Sequence, residues 1–273
     1  MTQTLTGIIA LVLYSVTGLL LARRLFQDRT KPEKTGGLSK LQIIVIGLIA
    51  VLFHTITLYH TLFVAGGLNL SFFNALSLIT WLIALLVLLA ALSNPVESLG
   101  VFLLPLASIA ISLEMIFPGT HTVPDAQALE LKLHIMVSVL AYSLLSIAAV
   151  QAILLAVQDK HLRNKHPGGF IRALPPMQAM ETLLFQLIGL GLAILTLSLV
   201  SGMLYLDDMF AQHLVHKTIL SIVAWVVFAV LLWGRWKFGW RGRIAIRWTL
   251  SGFFVLLLAY VGSKWVVEII LGR

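Results

Sequence analysis

Eight long runs of mostly apolar residues occupy most of this chain of 273 residues. A run of about 18 or more such residues can cross the hydrocarbon core of a membrane as an α-helix. A helix also satisfies its own backbone hydrogen bonds, which lipid cannot do. The sequence therefore predicts an all-α polytopic membrane helix bundle of about eight transmembrane helices, over residues 3–22, 41–64, 72–92, 99–116, 131–157, 179–204, 214–233 and 248–270.

Composition agrees with this fold class. Hydrophobic residues make up 59% of the sequence and charged residues only 11%, whereas about a quarter of the residues in a soluble domain are charged. Eight spans of about 20 residues use roughly 160 residues and leave short loops. We therefore expect one transmembrane domain over residues 1–273 and no large extramembrane catalytic domain. Arg23 and Arg24 follow the first run, which indicates a retained helix rather than a signal peptide.

The basic residues are concentrated in three loops. Residues 23–40, 158–178 and 234–247 contain 15 of the 19 Lys and Arg residues. These loops fall on one side of an eight-helix topology, and the positive-inside rule makes that side cytoplasmic. Both termini are then predicted to lie outside. The net charge of +8 reflects this topology and contact with membrane lipid, so no nucleic-acid partner is expected.

The histidines are the main candidates for chemistry, because an ionisable residue inside a membrane span costs free energy. His161 and His166 lie in a basic loop and are expected to be ordinary solvated residues. His54 and His60 share the second span, where six residues turn the helix by about 600° and leave the two side chains about 120° apart. They are therefore not expected to bind one ion together. His54 lies deeper and is either a ligand or a structural polar residue.

His134 and His216 each lie close to the outer start of a span, the fifth and the seventh. These two helices run in the same direction, so the imidazoles have matching depths. Haem iron accepts axial histidine nitrogens, which makes the pair a candidate bis-histidine site near the periplasmic face. The alternative is that each histidine hydrogen-bonds a neighbouring helix. His213, one turn before His216, is an alternative ligand or a partner of that residue.

Lys217 and Lys264 are basic residues expected near the same face. Their ammonium groups can pair with carboxylates such as haem propionates. Lys264 can instead pair with Glu268, four residues later, or extend to the interface. Glu114, near the outer end of the fourth span, is another candidate partner for a histidine or a lysine, and the sequence leaves its role open.

Two stretches resemble the cytochrome c assembly family, in particular its short HemX-like or YpjD-like branch. They are HIMVSVLAYSLLSIAAVQAILLAVQ at 134–158 and the segment 216–271, which includes LSIVAW and GWRGR. The resemblance covers about residues 40–271. It implies a multi-pass, haem-handling protein of the bacterial cytoplasmic (inner) membrane. Full-length members bring haem to the outer face and present it to apocytochrome c, and His134 matches the histidine that opens the corresponding family helix.

The chain also departs from that family pattern. Family exporters have a tryptophan-rich WGxxWxWD segment before the helix matched by 216–233, and this chain has LDDMFAQHLVHK there. Trp233 occupies the position of the exporters' second intramembrane histidine. The resemblance then implies a reduced haem site, in which His216 replaces a lost outer ligand. His54 corresponds to the other intramembrane histidine or is a structural polar residue.

These observations favour a non-catalytic, haem-binding membrane protein of cytochrome c assembly or haem handling. The chain has no cysteine, so its haem is expected to be non-covalent and of b type, and its partners to include other cytochrome c biogenesis or haem-synthesis proteins. Nucleophile triads, metalloprotease motifs and phosphate-binding glycine loops are missing from the sequence, so we do not expect an enzyme. The alternatives are a transporter or ion-transport accessory, and a membrane regulatory scaffold without haem.

Overall fold

The computed structural model describes residues 2–26, 37–64, 67–119, 122–124, 129–164, 173–205 and 215–262. Eight helices in these ranges are long and apolar enough to cross a membrane, which confirms the predicted fold class. They are α1 (Thr2–Phe26), α2 (Lys40–Leu62), α3 (Phe72–Ser93), α4 (Glu97–Ile116), α5 (Leu129–Arg163), α6 (Met177–Tyr205), α7 (Val215–Phe238) and α8 (Gly242–Leu257). A π-helical turn, Leu258–Gly262, continues α8.

Two helices, α5 and α8, differ most from their predicted bounds. α5 has 35 residues and continues past the apolar run that ends at 157, because hydropathy marks the membrane boundary and not the last helical hydrogen bond. Asp159 and Arg163, four residues apart, form an ion pair in this polar extension. α8 begins at Gly242, before the predicted residue 248, since its first turns are polar. The predicted residues 263–270 of that span lie outside the described residues.

The helices form two compact units. Unit 1 comprises residues 1–124 and 166–175, and unit 2 comprises 125–165 and 176–273. In unit 1, α1 packs against α2 and α4, and α3 packs against the same two helices. The four helices therefore close into a ring. The expectation of one transmembrane domain over residues 1–273 stays a prediction.

A small antiparallel sheet lies at one end of unit 1, here called the sheet end. Its strands are β1 (Phe63–Val64), β2 (Gly67–Asn69) and β3 (Thr122–Pro124). β2 is central, with Leu68 opposite Phe63 on one side and opposite Val123 on the other. Strands of two or three residues carry too little periodicity to be predicted from sequence. The sheet joins the loop after α2 to the loop after α4.

Unit 2 is a second ring of four helices. α5 packs against α6 and α8, and α7 packs against the same two helices. α5 and α6 are antiparallel, since His134 contacts Ser201 while Gln151, further along α5, donates to the carbonyl of Met180. α5 and α7 are consequently parallel and stand diagonally across the ring.

The turn between α7 and α8 is held by specific contacts. Gly239 and Gly242 adopt positive φ angles of 66° and 53°, a conformation that glycine tolerates best. Trp240 packs directly over Gly234, where any Cβ would overlap its ring. The Gly242 N–H donates to Oε1 of Glu181 at 2.6 Å. The GWRGR segment thus forms a tight, anchored hairpin at the basic end of unit 2.

Candidate functional site

His134 lies in the second turn of α5 and is half-buried against α6. Its Nδ1 is 2.9 Å from the hydroxyl of Ser201 on α6. Its Nε2 is 3.5 Å from the hydroxyl of Ser138, one turn along α5, which is at the outer limit for a hydrogen bond. The ring is therefore held firmly through one nitrogen and weakly through the other.

The hydroxyl protons around His134 determine its tautomer. Ser201 donates its proton to the carbonyl of Ser198, so its oxygen is left to accept from Nδ1–H of His134. Ser138 donates to the carbonyl of His134 at 2.7 Å, so it has no proton for Nε2. Ser198 supplies the proton in its 2.7 Å hydrogen bond with Ser138. This arrangement places the proton on Nδ1 and leaves the Nε2 lone pair available to a metal.

Fixing a metal-ligating histidine through its other nitrogen is the usual way in which proteins set its tautomer and orientation. The donor set at His134 therefore fits an iron ligand. The sequence does not predict the serines Ser138, Ser198 and Ser201. Their spacing could have indicated them, because Ser138 follows His134 by four residues, and Ser198 and Ser201 are three residues apart on one face of α6.

His216 is the second residue of α7, and its side chain is exposed. Because α5 and α7 are parallel, the structure places His134 and His216 at the same end of unit 2, on diagonal helices. No described residue forms a hydrogen bond or ion pair with His216. The shared end agrees with the matched depths inferred from sequence, whereas coordination of one iron by both imidazoles stays a prediction.

Lys217 follows His216 and is half-buried, with an interaction partner in the structure. Lys264 and His213 lie outside the described residues. Pairing of the two lysines with propionates stays a prediction. Within the described ranges, no group of three or more His, Asp or Glu side chains lies close enough together to bind a metal ion directly.

Tyr142 joins three helices below His134. Its hydroxyl donates to the carbonyl of Leu256 on α8 at 2.9 Å, and Ser221 on α7 is a further side-chain partner. Its ring lies 5.4 Å from that of Tyr260. Eight residues of helix separate it from His134, which corresponds to about 12 Å. Tyr142 therefore ties α5, α7 and α8 together at a level below both histidines.

His54 is in unit 1 and is fully buried, with 0% of its surface exposed, whereas His60 is exposed. This confirms that His54 is the deeper of the two. Its Nδ1 is 3.3 Å from the hydroxyl of Tyr14 on α1, and its Nε2 is 2.9 Å from the hydroxyl of Ser77 on α3. Both nitrogens thus have partners, as a structural polar residue requires. A ligand role for His54 stays a prediction.

Comparison with known proteins identifies relatives over almost the whole chain. The family model "Cytochrome C assembly protein" matches residues 42–271, in agreement with the resemblance over about 40–271. The inner membrane protein YpjD of Escherichia coli K12 is 35% identical over 270 residues, which cover 97% of this chain and 98% of that protein.

More distant relatives are the cytochrome c biogenesis proteins CcsA of two algae. The Chlamydomonas reinhardtii protein is 28% identical over 150 residues, covering 54% of this chain and 41% of that protein. The Porphyra purpurea protein is 22% identical over 297 aligned positions, covering 91% and 92%. No solved structure matches the chain. With eight helices in the described ranges that are long and apolar enough to cross a membrane, and with these matches, the chain is a multi-pass inner membrane protein that belongs to the cytochrome c assembly protein family.

Proposed function

We propose that this protein binds a non-covalent, b-type haem in unit 2 and acts, without catalysing a reaction, in cytochrome c assembly or haem handling. The observation that carries the proposal is the hydrogen bonding of His134. Nδ1 faces Ser201 at 2.9 Å, and the Nε2 lone pair is left for an iron. Haem supplies four equatorial nitrogens and needs only axial ligands from the protein, so a site with one or two histidines is sufficient.

His216 is the proposed second axial ligand, since it starts α7 at the same end of unit 2. Its exposed side chain is free to reorient when a macrocycle binds, which His134 is not. Lys217 and Lys264 are proposed to neutralise the propionates by charge-assisted hydrogen bonds. Within this proposal His134 and His216 would hold the haem iron, and the two lysines would hold the propionates.

The relatives named for cytochrome c biogenesis motivate the assignment to that process. The proposed partners are therefore haem itself and other proteins of cytochrome c biogenesis or haem synthesis. The inner end of unit 2 offers exposed basic residues, Arg241 and Arg243, to a soluble partner. Neutralising both is expected to weaken such docking while leaving haem content intact.

The test is an absorption spectrum of the full-length protein, purified in detergent and titrated with haem. We expect a Soret band that His134→Ala or His216→Ala shifts and that the double variant loses. His161→Ala is the matched control, because this histidine is exposed and, among the described residues, hydrogen-bonds the Val157 carbonyl of its own helix. Failure to form a Soret band, or an unchanged band in the double variant, would refute the proposal.

A further inference from the structure

A chain of polar side chains crosses the interior of unit 1. Tyr14, His54 and Ser77 lie on α1, α2 and α3, and their side chains follow one another at 3.3 and 2.9 Å. Tyr14, His54 and Ser77 each have 0% exposed surface. Buried polar groups of this kind cost free energy unless they are hydrogen-bonded. The hydrogen bonds of this chain therefore offset the cost of burying its three polar side chains.

Glu114 lies beside this chain, two residues before the end of α4. Its side chain is 3% exposed, and neither carboxyl oxygen has a hydrogen-bond partner among the described residues. The hydroxyls that face it are those of Ser77 and Thr61. Thr61 directs its proton to the carbonyls of Thr57 and Leu58. Ser77, whose hydroxyl is also 2.9 Å from Nε2 of His54, is consequently the hydroxyl that lies beside both Glu114 and His54.

No described cation neutralises Glu114. The other titratable or charged groups on the helices of unit 1 are at the helix ends: Arg23 and Arg24 at the end of α1, Lys40, Tyr59 and His60 at the ends of α2, and Glu97 at the start of α4. Lys40 pairs with Glu97 at 3.0 Å, about 25 Å along α4 from Glu114. An isolated buried carboxylate is very costly, so Glu114 either holds a proton itself or, as a carboxylate, lies beside a neighbour that holds the proton.

We propose that Glu114, Ser77 and His54 form one buried proton-binding site, in which a single proton is shared between the carboxyl group and the imidazole through the Ser77 hydroxyl. In one state Glu114 is a neutral acid, and Ser77 donates to Nε2 of a neutral His54. In the other, the acid proton passes to Oγ of Ser77 while Ser77 gives its own proton to Nε2.

The second state contains a carboxylate and an imidazolium. No electrons move, and the net charge of the site is zero in both states. Nδ1–H of His54 donates to the oxygen of Tyr14 in each. A shared proton avoids an isolated charge and makes use of the unfilled hydrogen-bonding capacity of the Glu114 oxygens.

The site connects to the sheet end through polar side chains and is closed on the other side by apolar ones. The Asn74 amide donates to the carbonyls of Thr61 and Asn69, and Asn69 donates to the carbonyl of Gly119. Toward the opposite end the ring is filled by fully buried side chains, including Leu21, Leu88 and Leu104. The polar side of the site therefore faces the sheet end.

The experiment is infrared difference spectroscopy of the full-length protein in lipid nanodiscs, in H₂O and D₂O. We expect a carbonyl band of a protonated, buried carboxylic acid that Glu114→Gln removes completely. Glu97→Gln is the matched control, because that residue lies on the same helix and pairs with Lys40, and it should leave the band unchanged. Absence of any protonated-acid band sensitive to Glu114→Gln would overturn the proposal.

Two further variants test the sharing. Ser77→Ala and His54→Gln should each shift the frequency of the Glu114 band, whereas Ser108→Ala, which removes a buried hydroxyl bonded to Ser15 and Leu11, should not. If the frequency of the Glu114 band is unchanged in Ser77→Ala or in His54→Gln, the proton is not shared.

If Glu114→Gln does not fold, glutamate carrying a ¹³C-labelled carboxyl group in the wild-type protein decides the point. The acid band must move to lower frequency with the label, and an unmoved band overturns the assignment. The measurement needs no haem. Its outcome is therefore separate from that of the proposed function.

Discussion

The hydroxyl oxygen of Ser201 lies 2.9 Å from Nδ1 of His134, although the two residues are 67 positions apart in the chain. Because Ser201 gives its proton to the Ser198 carbonyl, it acts on the imidazole only as an acceptor. This contact fixes which nitrogen of His134 is free.

Replacing Ser201 by Ala should therefore weaken haem binding without removing a ligand. Loss of such an orienting hydrogen bond typically costs about 10- to 100-fold in affinity at a metal site. Ser201→Thr, which keeps the hydroxyl, should retain most of the affinity. Haem titration followed by absorbance gives the Kd. Ser146→Ala is the control, because it removes a hydroxyl that is hydrogen-bonded to the Tyr142 carbonyl. Equal Kd values for Ser201→Ala and the wild type would show that Ser201 does not set the tautomer of His134.

The hairpin between α7 and α8 should be sensitive to a single methyl group. A Cβ at Gly234 overlaps the Trp240 ring, so Gly234→Ala is expected to lower the free energy of unfolding by about 1–3 kcal/mol. Gly189→Ala is the matched variant, because nothing lies within 4 Å of a Cβ there. It should be neutral or stabilising by about 0.5–1 kcal/mol. Unfolding in mixed detergent micelles measures both, and equal effects would contradict the packing.

Glu181 should stabilise the start of α8. Its carboxylate accepts the Gly242 N–H at 2.6 Å and places a negative charge at a helix N-terminus, which is favourable. Glu181→Ala is expected to cost about 1 kcal/mol, and Glu181→Gln less, since an acceptor remains. Hydrogen exchange at the Gly242 amide reports the effect locally. Thr182→Ala, whose hydroxyl serves only the Gln178 carbonyl, should leave that exchange rate unchanged.

The predicted topology can be measured directly because the chain has no cysteine. Gln3 and Arg241 are both exposed, and the positive-inside rule puts them on opposite sides of the membrane. A Gln3→Cys variant should react with a membrane-impermeant maleimide in intact cells, and Arg241→Cys only after permeabilisation. The reverse labelling pattern would invert the proposed orientation and move the haem site to the cytoplasmic face.

The sequence predicts most of the fold because membrane spans depend on local composition. Eight apolar runs correspond to eight helices, and the positions of His134 and His216 near the starts of α5 and α7 follow from those runs. The polar extension of α5 and the short strands of the sheet are missed, since neither depends on hydropathy. The hydropathy of a segment thus predicts which residues form a helix, and it predicts the residues at which the helix begins and ends less accurately.

The candidate sites required the structure, because their contacts join distant segments. Glu114 is visible in the sequence as an acid near the end of a span, but only the packing of α4 shows that its carboxyl oxygens have no hydrogen-bond partner among the described residues. The same holds for Ser201, because the residues around it in the sequence do not distinguish it from other serines in the spans. The histidines could be selected by residue type and depth, and the serines that orient them could not.

The contacts between α5 and α8 have a mechanical consequence. Tyr142 holds the Leu256 carbonyl, and Asp159 holds Arg243 at 3.1 Å. These two attachments are about 25 Å apart along α5. Sliding or rotation of either helix would break at least one of them, so α5 and α8 should move as a rigid pair. Any opening that admits a large planar ligand to unit 2 is then expected to occur by displacement of the first turn of α7, which carries His216 and precedes the contact between Ser221 and Tyr142.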